Sequence, residues 1–164
     1  MLMEIGADSA SGKIYLSRRL NGSGEAKYPE FLKQAAQKGT EITLAHSLRE
    51  QNCFNGYETK TVKGNTIQAK VPSNAADVLA EGEFNRYYLR GLCLRAIDEG
   101  MMIEIYRARE SASPREESLA LIGKVIDPQS LLADLRENIG VDTALQLPPG
   151  PNSGLTGKLA PKLG

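Results

Sequence analysis

The 164-residue sequence predicts a small α+β protein, and three observations carry that expectation. Tyr57–Val62 and Thr66–Val71 flank the turn-prone run Lys63-Gly64-Asn65, the pattern of a β-hairpin. Glu83 to Glu99 repeats apolar residues at helical spacing, with Leu89, Leu92, Cys93 and Ala96 on one side. Hydrophobic residues at 41% and charged residues at 24% match an ordinary globular chain, long enough for one core and too short for two of ordinary size.

Residues 1–28 are rich in Gly6, Ser9, Ser11, Gly12, Asn21, Gly22, Ser23 and Gly24, and carry little periodic signal. Lys13-Ile14-Tyr15-Leu16 is the one strand-like stretch, and the remainder is expected to be an extended N-terminal arm. The α+β domain is expected over residues 29–144. Pro29 suits the first position of a helix bearing Phe31, Leu32, Ala35 and Ala36, which Gly39 ends. A short helix follows on Ile42, Leu44, Ala45 and Leu48.

In the hairpin, Ile67, Ala69 and Val71 alternate with Thr66, Gln68 and Lys70, which predicts one buried and one wet face. Pro72 ends it, and Ser73 or Asn74 caps a helix through Leu79 that Gly82 is expected to interrupt. The Glu83–Glu99 helix should be central and mostly buried. Gly100 stops it, and Met101–Arg107 reads as a buried strand. Ser113-Pro114-Arg115-Glu116 has the form of a capping box, and Leu119–Ile126 fits either helix or strand. Asp127-Pro128 opens a last helix with Leu131, Leu132, Leu135 and Ile139 on one face, ending at Gly140.

From residue 145 onward Pro148, Pro149, Pro151 and Pro161 forbid a regular helix. Leu145, Leu147, Leu155, Leu159 and Leu163 punctuate the segment, so residues 145–164 read as an extended arm with apolar anchors, foremost Leu147, Leu155 and Leu159.

Charge narrows the function classes. Lys plus Arg number 20 and Asp plus Glu 20, so no net field draws nucleic acid or an anionic membrane from a distance. No apolar run approaches a membrane span, and Met1–Ile5 lacks the basic flank and apolar core of a secretory signal. Cys53 and Cys93 stand 40 residues apart with no neighbouring ligand, which favours two free thiols in a reducing compartment. The expected location is cytoplasmic, or within a virus-like particle.

The catalytic signals are weak. Gly6 and Gly12-Lys13 imitate a phosphate loop, but five residues separate the glycines and Ile14 follows the lysine. His46, the single histidine, has no nucleophile or carboxylate at motif spacing and reads as a surface residue. No catalytic residue, metal or cofactor is expected.

The main helix holds the candidate binding residues. Arg86 and Arg90 form its polar stripe, and Arg95 falls among Phe84, Tyr88 and Gly91. A guanidinium there needs a carboxylate, with Glu104 as first candidate and Glu83 and Asp98 as others, or else it meets an anionic ligand or a second subunit. Arg86, Arg90, Arg107, Arg109 and Arg115, interleaved with Tyr87, Tyr88 and Tyr106, form a candidate patch for single-stranded nucleic acid or for a protein interface. The acidic residues along the same stretch favour an ion-paired face.

These features favour a non-enzymatic assembly or protein-interaction component, partnered by itself as a homo-oligomer or by a larger assembly such as a virus-like or phage-like particle. A nucleic-acid-binding accessory protein using the Arg/Tyr patch is the alternative.

Overall fold

The computed structural model describes residues 1–109, 116–140 and 154–162. The architecture is mixed α+β, and the backbone divides into two compact units, Ile14–Phe84 and the pair of segments Met1–Lys13 and Asn85–Gly164.

The Ile14–Phe84 unit begins with α2 (Gly22–Lys38) and α3 (Glu41–Glu50), α1 being assigned to the other unit. Helix α2 starts seven residues before Pro29, because Asn21 caps it: the Asn21 side chain accepts from Gly24 N–H at 2.8 Å. The same side chain donates to the carbonyls of Asn52 and Phe54, so one residue both starts the helix and fastens it to the 52–54 loop. Gly24 is required there, since a Cβ would collide with the Cys53 carbonyl. Thr40 and Thr43 exchange hydrogen bonds in a capping box that opens α3. Tyr28, Leu32, Ala35, Leu44, Ala45, Leu48 and Cys53 are buried in this unit.

β1 (Tyr57–Val62) and β2 (Asn65–Lys70) form a two-stranded antiparallel ribbon in which Val62 faces Asn65. The turn is therefore Lys63-Gly64, with φ of 50° and 80°, and Asn65 already belongs to β2. The expected buried face is absent. Ile67 is 43% exposed, and of the strand residues Glu58 is the one buried, with Lys60 and Ala69 intermediate.

α4 (Ala75–Glu99) runs unbroken through Gly82 and supplies its first ten residues to this unit and the rest to the other. One glycine costs a helix only about 1 kcal/mol, too little to break 25 residues.

In the second unit, β3 (Met102–Arg107) is central to an antiparallel sheet of order β4-β3-β5, with β4 at Val125–Ile126 and β5 at Leu155–Ala160. α5 (Glu116–Leu119) leads into β4, and α6 (Pro128–Glu137) follows it. Asp127 caps α6 by accepting from Ser130 N–H at 2.8 Å, with Pro128 at the first helical position as expected. Leu89, Cys93 and Ala96 of α4, Ile103 and Ile105 of β3, Leu131, Leu132 and Leu135 of α6, and Leu155 of β5 form the core. Each such aliphatic contributes about 1.5–3 kcal/mol on burial.

The N-terminal end departs from the expected arm. Residues 1–28 are not an extended arm: α1 (Leu2–Ser11) is a helix with Glu4, Ile5 and Asp8 buried, closed by Gly12 at φ 67°. The phosphate-loop imitation thus lies on a helix and its cap. In the C-terminal segment, Leu155 and Leu159 act as anchors, but within this chain's own sheet, where β5 pairs with β3 over six residues. Leu147 lies outside the described residues, as does the capping box at Ser113.

Candidate functional site

The charged residues of α4 do the opposite of what a helical wheel suggests. Arg86 and Arg90, the expected polar stripe, are 8% and 2% exposed. Arg95, read as the buried arginine, is exposed and bonds Glu99 one turn on at 2.7 Å. Glu104 pairs instead with Lys158, its register partner on β5, at 3.1 Å. The reason lies in α1, which buries two carboxylates, Glu4 and Asp8, beside Ile5, and buried carboxylates need cations opposite.

Arg90 is the hub. Its Nε donates to Glu4 Oε2 at 2.6 Å, and its Nη1 and Nη2 donate to the two Asp8 oxygens at 2.5 and 3.0 Å. Arg136 on α6 reaches the same Glu4 with two hydrogen bonds, 3.0 and 2.6 Å. Tyr87 Oη donates to Asp8 Oδ2 at 2.8 Å, and the Arg90 guanidinium lies 4.9 Å from the Tyr87 ring centroid. Two cations thus meet two anions in a charge-balanced cluster. The Arg136 guanidinium, joined by Arg90, holds the Glu4 carboxyl below its ordinary value against the opposing effect of burial. Burial works against the charge of Arg90, and Asp8 and Glu4 overcome it, raising its pKa. Arg86 donates from Nη1 to the Asn138 carbonyl at 2.7 Å and so closes the C-terminus of α6.

This geometry takes three residues out of the expected Arg/Tyr patch. Arg86, Tyr87 and Arg90 turn inward to hold α1 and α6, whereas Tyr88 is 37% exposed and Arg109 is exposed. Arg107 is half-buried on β3, and Arg115 lies outside the described residues. Burial, with Tyr106 nearby, raises the Tyr88 phenol above its ordinary value. Cys93 is a core thiol, its pKa pushed up to about 12 by burial, and Cys53 is raised by the same cause. Such thiols pack rather than react. His46 is exposed beside Glu50, as expected of a surface residue.

Two exposed surfaces stand out among the described residues. In the second unit, Leu119, Ile122 and Val125 are 47%, 43% and 39% exposed within seven residues. They lead into β4, an outer strand hydrogen-bonded to β3 on one side. Three aliphatic side chains beside a sheet edge make an adhesive feature that monomers usually blunt with charge. Sequence reading missed it, because the ambiguity of 119–126 between helix and strand left its exposure undefined.

The other surface is the ribbon. Its facing pairs Tyr57–Lys70, Thr59–Gln68 and Thr61–Thr66 share one side, and all six residues are exposed. On the reverse side the Glu58 carboxylate is buried, bonded by Arg19 at 2.8 and 3.2 Å and by Lys60 at 3.0 Å. Arg19 first, then Lys60, lowers the Glu58 pKa to about 2. At the ribbon's base, an open cleft of about 260 Å³ is bordered by Asn52, Cys53, Lys70 and Pro72.

Among the described residues, no group of three or more His, Cys, Asp or Glu could hold a metal ion. Nor is any described helix long and apolar enough to cross a membrane. No protein-family model, curated protein or solved structure matches this chain.

Proposed function

We propose that this chain is a non-enzymatic assembly component that associates with copies of itself through the β4 edge. The observation that carries this reading is the run Leu119, Ile122 and Val125, exposed beside the outer strand of the sheet. An edge strand offers unpaired backbone groups, and flanking aliphatics add apolar area to any contact made there. Two copies meeting edge to edge about a two-fold axis present the same strip to each other, so one patch suffices for a closed dimer. Larger shells, including virus-like particles, are built by combining such contacts with others.

The test is the double variant Ile122→Lys/Val125→Lys. Both side chains are exposed, so the fold tolerates the change while the strip becomes charged. The wild type is expected to associate with rising concentration and the variant to remain at the chain mass of 17.8 kDa. Equal association of the two proteins would refute the β4 edge as the contact.

A further inference from the structure

We propose that the exposed face of the β1–β2 ribbon binds duplex DNA by entering its major groove. This goes beyond the assembly reading and uses a different surface in the other unit.

Tyr57, Thr59, Thr61, Thr66, Gln68 and Lys70 each carry a hydrogen-bonding group, and none is acidic. The ribbon's aliphatic side chains, Val62 and Ile67, lie on the reverse side with Glu58, Lys60, Asn65 and Ala69. A protein interface has an apolar centre, whereas the floor of a DNA groove presents donors and acceptors. The face matches the second surface.

Charge points the same way. The ribbon carries Lys60, Lys63 and Lys70 against a single acid, Glu58. That acid is buried and bound by Arg19 and Lys60, which leaves exposed cations at the tip, Lys63, and at the base, Lys70. Arg18 is exposed next to the Arg19 that grips Glu58. The chain as a whole is neutral, so this is a local complement to phosphate rather than a general property.

Shape selects among nucleic acids. A two-stranded ribbon fits the roughly 12 Å major groove of B-form DNA, and six residues per strand extend for about 20 Å. Duplex RNA is disfavoured because its major groove is too narrow for side chains to read. Single strands are disfavoured because stacking needs several aromatic platforms, and the face offers Tyr57 alone. The ribbon also has a structural motive for a partner, since a bare two-stranded hairpin is marginal in water.

The experiment titrates the full chain into a fluorescein-labelled mixed-sequence DNA duplex, read by anisotropy, with duplex RNA of the same sequence alongside. Two phosphate contacts give a slope of log K against log salt near −2, so binding weakens by about tenfold between about 50 and 200 mM salt. Lys63→Gln/Lys70→Gln is expected to remove detectable binding at about 50 mM salt, with unchanged circular dichroism and unchanged mass in solution. Four results would overturn the proposal: no binding by the wild type at low salt, wild-type binding by the double variant, equal binding to duplex RNA, or loss of self-association in place of DNA binding.

Discussion

Strands β3 and β2 carry the same alternation and end in opposite environments. On β3, Ile103 and Ile105 are fully buried; on β2, Ile67 is 43% exposed and Ala69 half-buried. The difference lies in what covers them. Leu89 and Cys93 of α4 and Leu131, Leu132 and Leu135 of α6 join the β3 isoleucines in one core. The ribbon, by contrast, is fastened at its base by Glu58 bonded to Arg19, and its strands carry nine exposed residues out of twelve. Alternation therefore says which residues share a face, and only the rest of the fold says whether that face is covered.

The sharpest way to break this comparison is to place the same charge on both strands. Ile105→Asp puts an unpaired carboxylate in the core and should cost more than about 4 kcal/mol. Ile67→Asp should cost at most about 1 kcal/mol, the span of strand propensity. Urea unfolding of the two variants checks this, and equal losses would mean the ribbon is covered after all.

A comparison of arginines on α4 ranks next. Arg90→Met leaves buried Asp8 without a guanidinium and Glu4 with Arg136 alone, and is expected to destabilise by about 3–5 kcal/mol. Arg95→Met removes an exposed pairing with Glu99 and should leave the unfolding midpoint unchanged. A fall in stability on Arg95→Met comparable to that of Arg90→Met would contradict the inward assignment of Arg90.

Acid separates the two regions more gently. Glu4 and Glu58 both have folded pKa values below the ordinary 4.5, so each contributes stability that is full above that pH and is lost as pH falls through the folded value. For Glu58 the loss extends down to about pH 2. Glu4→Gln should reduce the slope of stability against pH below 4.5 and leave it unchanged near neutrality. Denaturant midpoints measured across that range give the slope, and an unchanged acid profile in Glu4→Gln would refute the Glu4 contribution.

The class, the hairpin, strand β3 and helix α6 were legible because each rests on local chemistry: a glycine-bearing turn, an Ile-rich run, an Asp-Pro cap, although the turn falls on Lys63-Gly64 rather than on the expected Gly64-Asn65 pair. Helix α1 was not, because two of its three buried residues, Glu4 and Asp8, are acidic and leave Ile5 as the one apolar mark of its inward side. Their partners, Arg90 and Arg136, stand more than 80 residues further along the chain, and nothing local joins segments so far apart. The same blindness exchanged Arg90 for Arg95. Pro29 concealed the true start of α2, which Asn21 sets seven residues earlier. The exposed strip at Leu119, Ile122 and Val125 was invisible for the reason that Ile67 was misread: exposure is a property of the whole fold.

The most direct test of the assembly reading is the absolute mass of the full chain in solution, by light scattering on a sizing column with absorbance at 260 and 280 nm across the peak. The account expects a mass that is a multiple of 17.8 kDa and a peak whose absorbance ratio is that of protein alone after a high-salt wash. A single species at 17.8 kDa, unchanged by concentration, would contradict it.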